Sequence, residues 1–546
     1  MTKELPQHRE LNRVFVNSQE TLLVRLKNLQ LLSWLKNHRG ELILLFAVSF
    51  LIVLIRLPYL EKPLDEDSAA NAYGGRLILQ GEPLYSSYHP GHHLPAIYYI
   101  NALAFYLFGD NPEAIRSFLA LWLIPTVLLL YFLSRTISDK KTSYLAVALF
   151  LLLSTDYILE SHTAEIELFA NLPRLAATLL LLKLVEQKVP AWQFSLIGLV
   201  GAVAVLFKAV YISPLALAGI ILLTQFWSHR KEQKYAGYLL RCVFWMGTGF
   251  LLGLLPVILY FSLLGLLPRL ALVFTLGQLH VSSGPVSPIF IFLYPLSGLA
   301  LANVPLLVLG LTGALLLTVN GSATTLPRNV VLLWFLMSFI EAGASRNPFL
   351  HYYQLIAPPL GLLAAWSIMY LYRVAKAHHK IKQAAWVIPA SLLLAIGGSY
   401  LFGNGGYLFH YLRYKTGQET YQNFVLKSWP PTGPMLVAIQ DIAAYIQSHS
   451  EPDERMYLWG NEVQLYYLAN RRCATDFIWP IYLDLAPTEM QRQVLAATTK
   501  FVVVAQDPPA WLAAGLAEHY NLVKTISNHK IYQRLDSSEQ AVQKLK

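Results

Sequence analysis

Long uncharged runs separated by short charged segments make up most of the first 400 residues. Uncharged stretches cover 189–207, 242–268 and 270–327, and all three exceed the roughly 18 residues that a membrane-spanning helix needs. The pattern predicts about eleven spans, within a range of eleven to thirteen, near 41–58, 115–134, 142–157, 168–186, 191–207, 210–227, 242–264, 297–319, 329–344, 352–371 and 384–402. The run 270–327 fits one span with a re-entrant piece at Ile289–Tyr294, or a different number of spans.

The pattern changes after residue 403, where charged residues return and two kinds of short segment alternate. Met456–Trp459 and Phe501–Val504 are rich in β-forming residues, while Ile439–Gln447 and Met490–Ala497 have a helical pattern. Such alternation predicts a small α/β domain. Turn-rich segments at 403–406 and 429–434 would tether it to the membrane region.

The chain is therefore predicted to be an α-helical polytopic membrane protein with three parts. These are a cytoplasmic segment at 1–40, a membrane region at 41–402 with a large first outer loop at 59–114, and an extracytoplasmic α/β domain at 403–546. Within the first part, residues 22–35 fit an amphipathic helix on an anionic lipid surface.

Lysine and arginine residues set the predicted orientation, because cytoplasmic loops of membrane proteins carry an excess of positive charge. With the N-terminus inside, the inner loops receive Arg135, Lys140, Lys141, Lys183, Lys188, Arg230, Lys231, Lys234, Arg241, Arg373, Lys376, Lys380 and Lys382. An even number of spans would place the last four of these outside, so the number must be odd. The C-terminal domain is then outside the plasma (inner) membrane.

Composition supports this class and excludes others. Apolar residues make up 55% of the 546 residues and charged residues only 14%, against about 25% charged in soluble domains. The mean hydropathy is +0.44, which excludes a disordered chain and argues against a soluble enzyme. The net charge of +10 falls in the inner loops, so it indicates membrane orientation and no nucleic-acid partner. Cys242 and Cys473 are predicted on opposite sides and allow no disulfide framework.

Residue types suited to chemistry gather in the predicted outer loops. Asp65, Glu66 and Asp67 follow the first span directly, where acidic residues fit a solvated helix start as well as a catalytic group. A second cluster is rich in tyrosine and histidine and contains Tyr85, Tyr88, His89, His92, His93 and Tyr98. Since no cysteine is nearby and the spacing fits no standard zinc module, substrate contact is favoured over a metal site.

The second outer loop adds His162, Glu165 and Glu167. They lie at the edge of a span, where ionisable residues are costly and so count as functional candidates. Residues two apart on a helix diverge, which predicts one of the two glutamates in a cavity and the other in an interface.

Two later cations have two interpretations each. Lys208 ends an uncharged run, and it fits either a lysine that snorkels to the membrane surface or a cation that binds a phosphate there. Arg346, shortly before His351 and Tyr352, is a similar case.

Taken in order, these features resemble a known superfamily. The order is an acidic pair after the first span, an aromatic His/Pro segment, a Glu-bearing second loop, Phe207-Lys208 at an outer span end, and a late span beginning at His351-Tyr352-Tyr353. It resembles the GT-C superfamily of polyprenyl-phosphate-sugar-dependent glycosyltransferases, especially bacterial relatives of the dolichyl-phosphate-mannose protein mannosyltransferases and the lipid A aminoarabinose transferase. The resemblance covers 40–372, and 459–469 is similar to outer domains of bacterial members.

The resemblance implies roles for the acids and the cations. Asp65 and Glu66 match the family's paired acids, with Asp65 as the expected general base, and Glu165 stands where a second acid is expected. Asp67 matches no family position and is predicted to be solvated. The residues expected to contact the donor phosphate are His93, Lys208 and Arg346.

One of these contacts departs from the family pattern. His93-Leu94-Pro95 stands where Lys-Pro-Pro is usual, which would make donor binding pH-dependent near the unperturbed histidine pKa of about 6.5. The expected substrate-binding residues are Tyr85, Tyr88, His89, His92, Tyr98, His162, Glu167, His351 and Tyr352. No residue is assigned to a metal; no cofactor is required, and a divalent metal is optional.

The implied activity is transfer of a hexose or pentose from a polyprenyl-phosphate-linked donor in the bilayer to a lipid, glycan or protein acceptor on the outer face. A carboxylate would deprotonate the acceptor in a single inverting displacement. Two alternatives are a transporter or flippase of lipid-linked sugars, which would place polar residues along a pathway inside the spans, and a surface-polysaccharide polymerase or ligase with a diphosphate donor. A transporter would tolerate loss of Asp65 far better than a transferase.

Overall fold

The computed structural model describes residues 39–187, 189–282, 287–319, 325–344, 346–379, 382–485 and 487–535. The chain forms two compact units, residues 1–54 and 55–546. Helix α1 (Arg39–Arg56) runs from the first unit into the second, and the other described elements all lie in the second. The predicted amphipathic helix at 22–35 lies outside the described residues.

Helices form the second unit up to residue 415. They are α2 (Glu66–Leu79), α3 (Ala96–Phe108), α4 (Pro112–Ser134), α5 (Lys140–Leu153), α6 (Ile166–Gln187), α7 (Ser195–Val205), α8 (Ser213–Ser228), α9 (Gln233–Leu263), α10 (Leu267–Ser282), α11 (Phe290–Val319), α12 (Thr325–Gly343), α13 (Ala357–Ala377) and α14 (Val387–Lys415). Short 3-10 helices lie between them at Leu57–Tyr59, Ala191–Phe194, Leu350–Leu355 and Lys382–Ala384.

Several of these helices are suited to a membrane. Among the described residues, six are long and apolar enough to cross one: Pro112–Ser134, Ile166–Gln187, Lys234–Leu263, Phe290–Val319, Thr325–Gly343 and Lys382–Lys415. Their outward side chains are apolar, with Leu263 87% and Phe402 93% exposed, a surface that is stable in lipid and unfavourable in water. The helices confirm the predicted polytopic helical class, and eleven as the number of spans stays a prediction.

One expectation about this region is wrong and another stays open. Residues 290–294, predicted in one interpretation as a re-entrant piece, are helical and begin α11, which has a kink with non-helical dihedral angles at Asn303, so that interpretation stays a prediction. The predicted tether at 403–406 lies inside the 29-residue helix α14. Glycine lowers helix propensity without breaking a helix, and apolar residues on both sides continue the pattern.

Close helix packing depends on glycine where α7 meets α9. A Cβ atom on Gly198 would lie 2.0 Å from the carbonyl oxygen of Met246, and one on Gly249 would lie 1.9 Å from that of Ser195. Real Cβ atoms do not approach so closely, so any larger residue would push these helices apart. Small residues at helix contacts are typical of membrane proteins, whose helices associate through van der Waals packing.

Beyond α14 the chain forms a small α/β structure. Helices α15 (Tyr421–Ser428), α16 (Gly433–Ser448), α17 (Gln464–Ala469), α18 (Pro487–Val494) and α19 (Ala510–His519) alternate with strands β1 (Arg455–Trp459), β2 (Arg472–Cys473), β3 (Thr499–Val504), β4 (Tyr520–Ile526) and β5 (His529–Arg534). The strand order is β2-β1-β3-β5-β4. Strand β1 pairs in parallel with β2 and β3, and β5 pairs antiparallel with β3 and β4.

The predicted α/β alternation is confirmed. Both predicted strand segments lie in β1 and β3, whose residues are almost all buried, and both predicted helical segments overlap α16 and α18. Cys242 and Cys473 are free and buried, in agreement with the absence of a disulfide framework.

The orientation of the chain is open to a direct test. We expect reporter fusions at residue 235, at the start of α9, to read the cytoplasmic side, because basic residues cluster there. Fusions at residue 440, within α16, should read the outer side. Fusions that report the same side at both positions would contradict the predicted orientation and the outer placement of the site.

Candidate active site

Buried arginines hold the loops that carry the candidate residues. Arg56, 1% exposed, donates from Nη1 to the carbonyl oxygens of Ser154 at 2.6 Å and Ser161 at 3.1 Å. Its Nη2 donates to the carbonyl oxygen of Thr163 at 3.2 Å. A guanidinium offers five N–H donors in one plane, so this single side chain fixes the loop between α5 and α6 that leads to Glu165.

Arg116 holds the segment before α2 in the same way. It donates to the carbonyl oxygens of Leu60 at 2.6 Å and Pro63 at 3.3 Å. Asp65 then caps α2, since its Oδ1 accepts from the backbone N–H of Ser68 at 2.8 Å and its Oδ2 from the Ser68 hydroxyl at 3.1 Å. The first acidic residue is therefore fixed where the helix begins.

An ion pair between Arg174 of α6 and Glu341 of α12 fixes two cationic residues. Both partners are buried, and Glu341 Oε1 also accepts from the backbone N–H of Ser213, the first residue of α8, at 3.1 Å. The loop with Lys208 precedes α8, and Arg346 follows α12. The ion pair therefore sets the positions of Lys208 and Arg346 relative to each other.

Lys208 and Arg346 line a cavity of about 490 Å³, the basic cavity. Its other lining residues are His92, Glu167, Ala209, Val210, Tyr211, Val273, Phe274, Gly277, Gln278, Glu341, Tyr352 and Leu355. Both carboxylates in this lining are engaged, Glu341 by its arginine and Glu167 by the Tyr211 hydroxyl at 2.6 Å. The cavity thus presents two cations beside an apolar wall.

A second cavity of about 540 Å³, the acidic cavity, shares no lining residue with the first. Its carboxyl-bearing lining residues are Asp65, Glu66, Asp67, Glu160 and Glu165, and Lys62 and His351 also line it. The remaining ones are Pro63, Tyr157, Ile158, His162, Thr163, Phe349, Leu350, Trp429, Pro431, Thr432, Met435, Leu436 and Gln464. The α/β region after helix α14 therefore supplies part of the wall of the acidic cavity. Burial raises the pKa of Glu66 to about 8 and that of Glu165 well above its usual value.

A small cavity of about 70 Å³, the junction, connects the two linings. It shares His92, Glu167, Lys208 and Tyr352 with the basic cavity, and Asp67, Glu165, Phe349 and His351 with the acidic cavity; His93 and Ile166 complete it. Both glutamates of the second outer loop thus face the junction, which corrects the prediction that one of them would lie in an interface.

Two aspartates two residues apart have opposite environments. Burial raises the pKa of Asp65, but the Lys62 ammonium 3.6 Å away and the two Ser68 hydrogen bonds outweigh it and hold the pKa below its usual range. Desolvation raises the pKa of Asp67, and the His351 cation offsets this only in part. Asp67, predicted to be solvated, has a side chain that is 43% exposed and that lines both the acidic cavity and the junction.

His351 connects two acidic residues through its two ring nitrogens. Its Nδ1 lies 2.9 Å from Glu160 Oε2, and its Nε2 lies 3.8 Å from Asp67 Oδ2. Burial opposes the imidazolium form, but the hydrogen bond to Glu160 and the surrounding carboxylates raise the pKa of His351 to about 10. Glu160 has a φ of 54°, a left-handed conformation that is unfavourable for a residue with a side chain and often marks a functional site.

The same group has the composition of a metal site. Among the described residues, Asp67, Glu165 and His351 have ligand atoms that all lie within 4.8 Å of one another. Divalent cations are commonly bound by two carboxylates and an imidazole. The second ring nitrogen of that imidazole is usually held by a further carboxylate. These residues therefore fit a divalent metal, the optional cofactor of the sequence prediction.

Four residues predicted to bind substrate are packing residues instead. Tyr85, Tyr88, His89 and Tyr98 are at most 2% exposed and line neither cavity nor the junction. Tyr85 donates to the carbonyl oxygen of His93 at 3.2 Å, and His89 Nε2 lies 2.8 Å from a backbone carbonyl oxygen of α10. These residues lie between α2 and α3 or within α3 and are buried by packing, which residue type alone does not predict.

The remaining predicted residues line the two cavities or the junction. Lys208, Arg346, His92, Glu167 and Tyr352 line the basic cavity, and Asp65, Glu66, Glu165, His162 and His351 line the acidic one. His93 lines only the junction. The structure therefore brings most of the predicted residues to the candidate site, whose division into two cavities the sequence did not predict.

Several site residues escaped the sequence interpretation. Arg56 and Arg116 end or begin apolar runs, and a charge at the edge of a span is itself a signal of function. Glu160 precedes the predicted second loop and carries no motif. Gln464 and Trp429 belong to the α/β region after helix α14, and they reach the acidic cavity only through the tertiary fold.

Comparison with known families gives two partial matches. Residues 89–246 match the family model of the dolichyl-phosphate-mannose-protein mannosyltransferases. Residues 439–535 match the model of the C-terminal domain of a competence-induced protein, Ccs4. Among curated protein sequences, none matches this chain.

Solved structures show the same fold. ArnT from Cupriavidus metallidurans bound to undecaprenyl phosphate matches with a TM-score of 0.62 and 14% identity over 91% of this chain and 98% of that one. Its apo state matches with a TM-score of 0.56 and 13% identity over the same shares. The archaeal oligosaccharyltransferase AglB from Archaeoglobus fulgidus, in complex with an inhibitory peptide and a dolichol-phosphate, matches with a TM-score of 0.50 and 13% identity over 92% and 75%.

The chain therefore has the fold of the GT-C membrane glycosyltransferases, with a small α/β domain at its C-terminal end. The predicted resemblance and the predicted fold class are confirmed.

The contacts of His351 predict how stability depends on pH. A histidine whose pKa rises from about 6.5 when unfolded to about 10 when folded contributes stability that is full below the unfolded value and is lost as pH rises through the folded value. We expect His351→Gln to lower the melting temperature by a few degrees at pH 6. The difference from the wild type should shrink as pH approaches 10, and a pH-independent difference would contradict the ion pairing.

Proposed function

We propose that the protein is an integral membrane glycosyltransferase that moves a sugar from a polyprenyl-phosphate donor to an acceptor on the outer face of the plasma membrane. The observation that carries this proposal is the junction, where a basic cavity with an apolar wall meets a separate acidic cavity. A displacement reaction needs a leaving group and a nucleophile on opposite sides of the reacting carbon, and the two cavities provide these two sides.

The basic cavity suits the donor. Lys208 and Arg346 provide charge-assisted hydrogen bonds to phosphate oxygens, while Val273 and Phe274 offer an apolar surface for the first isoprene units. The solved ArnT structure with this fold contains undecaprenyl phosphate, which supports a donor of this kind. His93 lines the junction, and we assign it a contact with the bond between sugar and phosphate rather than with the lipid.

The acidic cavity suits the acceptor and its activation. An acceptor hydroxyl there attacks the anomeric carbon at the junction, its proton passes to a carboxylate, and the phosphate leaves with the electron pair of the carbon–oxygen bond into the basic cavity. Lys208 and Arg346 then stabilise the second negative charge of the phosphate. One displacement of this kind inverts the configuration at the anomeric carbon.

We assign the base to Asp67 rather than to Asp65. Asp67 lines the junction, and its pKa is raised whereas that of Asp65 is lowered, so Asp67 is the more basic carboxylate of the two. Asp65 is engaged as the cap of α2 and by Lys62, so it positions the helix that carries the base. His351 and Glu160 orient the Asp67 carboxylate.

A divalent cation fits Asp67, Glu165 and His351 and would act there as a Lewis acid on the reacting oxygens. The protein groups alone bind the donor phosphate, orient the acceptor and accept its proton.

The assignment of the base is tested by two matched variants. Asp67→Asn keeps the shape of the side chain and removes proton acceptance, so transfer should fall by about 10²–10⁴, the usual contribution of a general base. Asp65→Asn should retain most activity, because asparagine is also a good helix cap. Transfer is measured with purified protein and lipid-linked sugar, and protein amount is checked by size exclusion. The reverse pattern, with Asp65→Asn inactive and Asp67→Asn active, would show that Asp65 is the general base.

The donor cations are tested by binding alone. Lys208→Gln and Arg346→Gln should each weaken binding of undecaprenyl phosphate by about tenfold, the effect of losing roughly 1.4 kcal/mol of charge-assisted hydrogen bonding. Lys524→Gln, on strand β4 of the outer sheet, serves as the matched control and should bind normally. Equal binding by all three variants would contradict the assignment of the donor phosphate to the basic cavity.

A further inference from the structure

Helix α10 forms one wall of the basic cavity and is packed on one face only. Its residues Val273, Phe274, Gly277 and Gln278 line that cavity. Val273 and Leu276 are 1% and 0% exposed, whereas Phe274 is 57% exposed, so the helix packs inward on one face and is open on the other. Lipid tails are as apolar as the side chains they meet and supply no force that fixes a helix. The position of α10, and with it the width of the basic cavity, therefore depends on further contacts.

The same helix bounds a second, apolar space. A cavity of about 340 Å³ lies between α10 and the helices α7 and α9, and all its lining residues are apolar. The contribution of α10 to it is Leu267, Leu270, Ala271 and Phe274. Because Phe274 lines both cavities, a shift of α10 would change the phosphate-sized space and the apolar space together.

Arg269, in the first turn of α10, joins this helix to two other parts of the chain. Its guanidinium donates to the carbonyl oxygen of Ser86 and, from Nη2, to Asp476 Oδ2 at 2.8 Å. Ser86 lies between α2 and α3, and Asp476 lies in the α/β region after α14. We call these contacts of Arg269 the Arg269 anchor.

His89 supports the anchor at the backbone. Its Nδ1 accepts from the backbone N–H of Gly91 at 3.2 Å, so the proton of the neutral ring is on Nε2, which donates to the carbonyl oxygen of Arg269 at 2.8 Å. Burial lowers the pKa of His89 to about 4, which keeps the ring neutral at physiological pH. The backbone N–H of His89 donates to the carbonyl oxygen of Asp476 at 2.7 Å. Asp476 is therefore held at its backbone while its carboxylate holds α10.

The α/β region reaches the basic cavity at a second point. The Tyr482 hydroxyl lies 3.4 Å from His92 Nδ1, and His92 lines both the basic cavity and the junction. The Tyr482 ring packs against Gly91, where a Cβ atom would lie 2.6 Å from the hydroxyl oxygen. Gly91 has a φ of 74°, a conformation that favours glycine. One short segment, 476–482, thus contacts two parts of the cavity wall.

Other contacts of the α/β region do not involve this wall. Arg472 pairs with Glu82, which lies between α2 and α3. Arg76 of α2 donates to the carbonyl oxygen of Tyr467 at 2.6 Å. None of these four residues belongs to α10 or lines the basic cavity. They join the same region to the same part of the chain and so provide a matched control.

We propose that segment 476–482 of the α/β region is a positioning element of the donor site. It holds α10 through the Arg269 anchor and His92 through Tyr482, and it thereby fixes the wall of the cavity that receives the donor phosphate. Neither Asp476 nor Tyr482 lines the basic cavity, so both act through other residues. The proposal rests on the proposed transferase function and gives the α/β region a part in donor binding.

Binding of undecaprenyl phosphate to the purified full-length protein tests the proposal. Asp476→Asn removes the charge that pairs with Arg269 and should weaken binding about fivefold, roughly 1 kcal/mol, because α10 is less firmly held. Tyr482→Ala should have a similar effect, and Arg472→Gln, the matched control, should bind normally. In a transfer assay Asp476→Asn should raise the KM for the donor and leave kcat unchanged, since the reacting groups are untouched.

A double-mutant cycle shows whether Asp476 acts through Arg269. The double variant with Arg269→Gln and Asp476→Asn should bind no more weakly than Arg269→Gln alone, because the interaction is already lost. The Asp476 side chain is 39% exposed, so its variant tests the proposal even if Tyr482→Ala does not fold.

Three results would overturn the positioning role while leaving the transferase function intact. These are normal binding by Asp476→Asn, additive losses in the double variant, and a loss in Arg472→Gln as large as that in Asp476→Asn. A wild-type protein that binds no undecaprenyl phosphate would instead overturn the proposed function itself.

Discussion

Buried guanidinium groups are the constraint on which the site depends. Arg56 and Arg116 hydrogen-bond the backbone carbonyls of the two outer loops, and Arg174 pairs with Glu341 between helices. Loops carry most catalytic groups but are mobile unless they are held. Removing one partner of a buried ion pair typically costs about 3–5 kcal/mol, because the other charge is left uncompensated. The loops are thereby rigid enough to hold opposite charges a short distance apart.

Separation of charge follows from this rigidity. Lys208 and Arg346 line the basic cavity, most of the carboxyl groups line the acidic cavity together with Lys62 and His351, and the two linings share no residue. Within the acidic cavity, neighbouring residues have different surroundings: Lys62 and the helix cap lower the pKa of Asp65, and desolvation raises that of Asp67. Under the proposed function, the donor phosphate and the acceptor would then bind in different cavities without competing for the same groups.

The sequence was sufficient for the membrane class, the α/β alternation and most site residues, because apolar length, strand composition and charges at span edges are local signals. It failed where the answer depends on tertiary contact. Tyr85 and His89 look like ligands in a linear segment and are packed inside a folded loop. From the sequence, Asp67 is predicted to be solvated. In the structure it faces the junction, because the first turn of α2 and the position of His351 set the direction of its side chain. Gln464 lies more than 100 residues after the last predicted site residue of the membrane region, and no local sequence pattern marks it as a cavity residue.

The central claim is that donor phosphate and acceptor occupy separate cavities that meet at the junction. A structure of the protein with undecaprenyl phosphate tests it most directly. The account predicts density for the phosphate between Lys208 and Arg346, with the lipid chain leaving along Val273 and Phe274. A phosphate found among the carboxylates of the acidic cavity, or bound without contact to either cation, would contradict it.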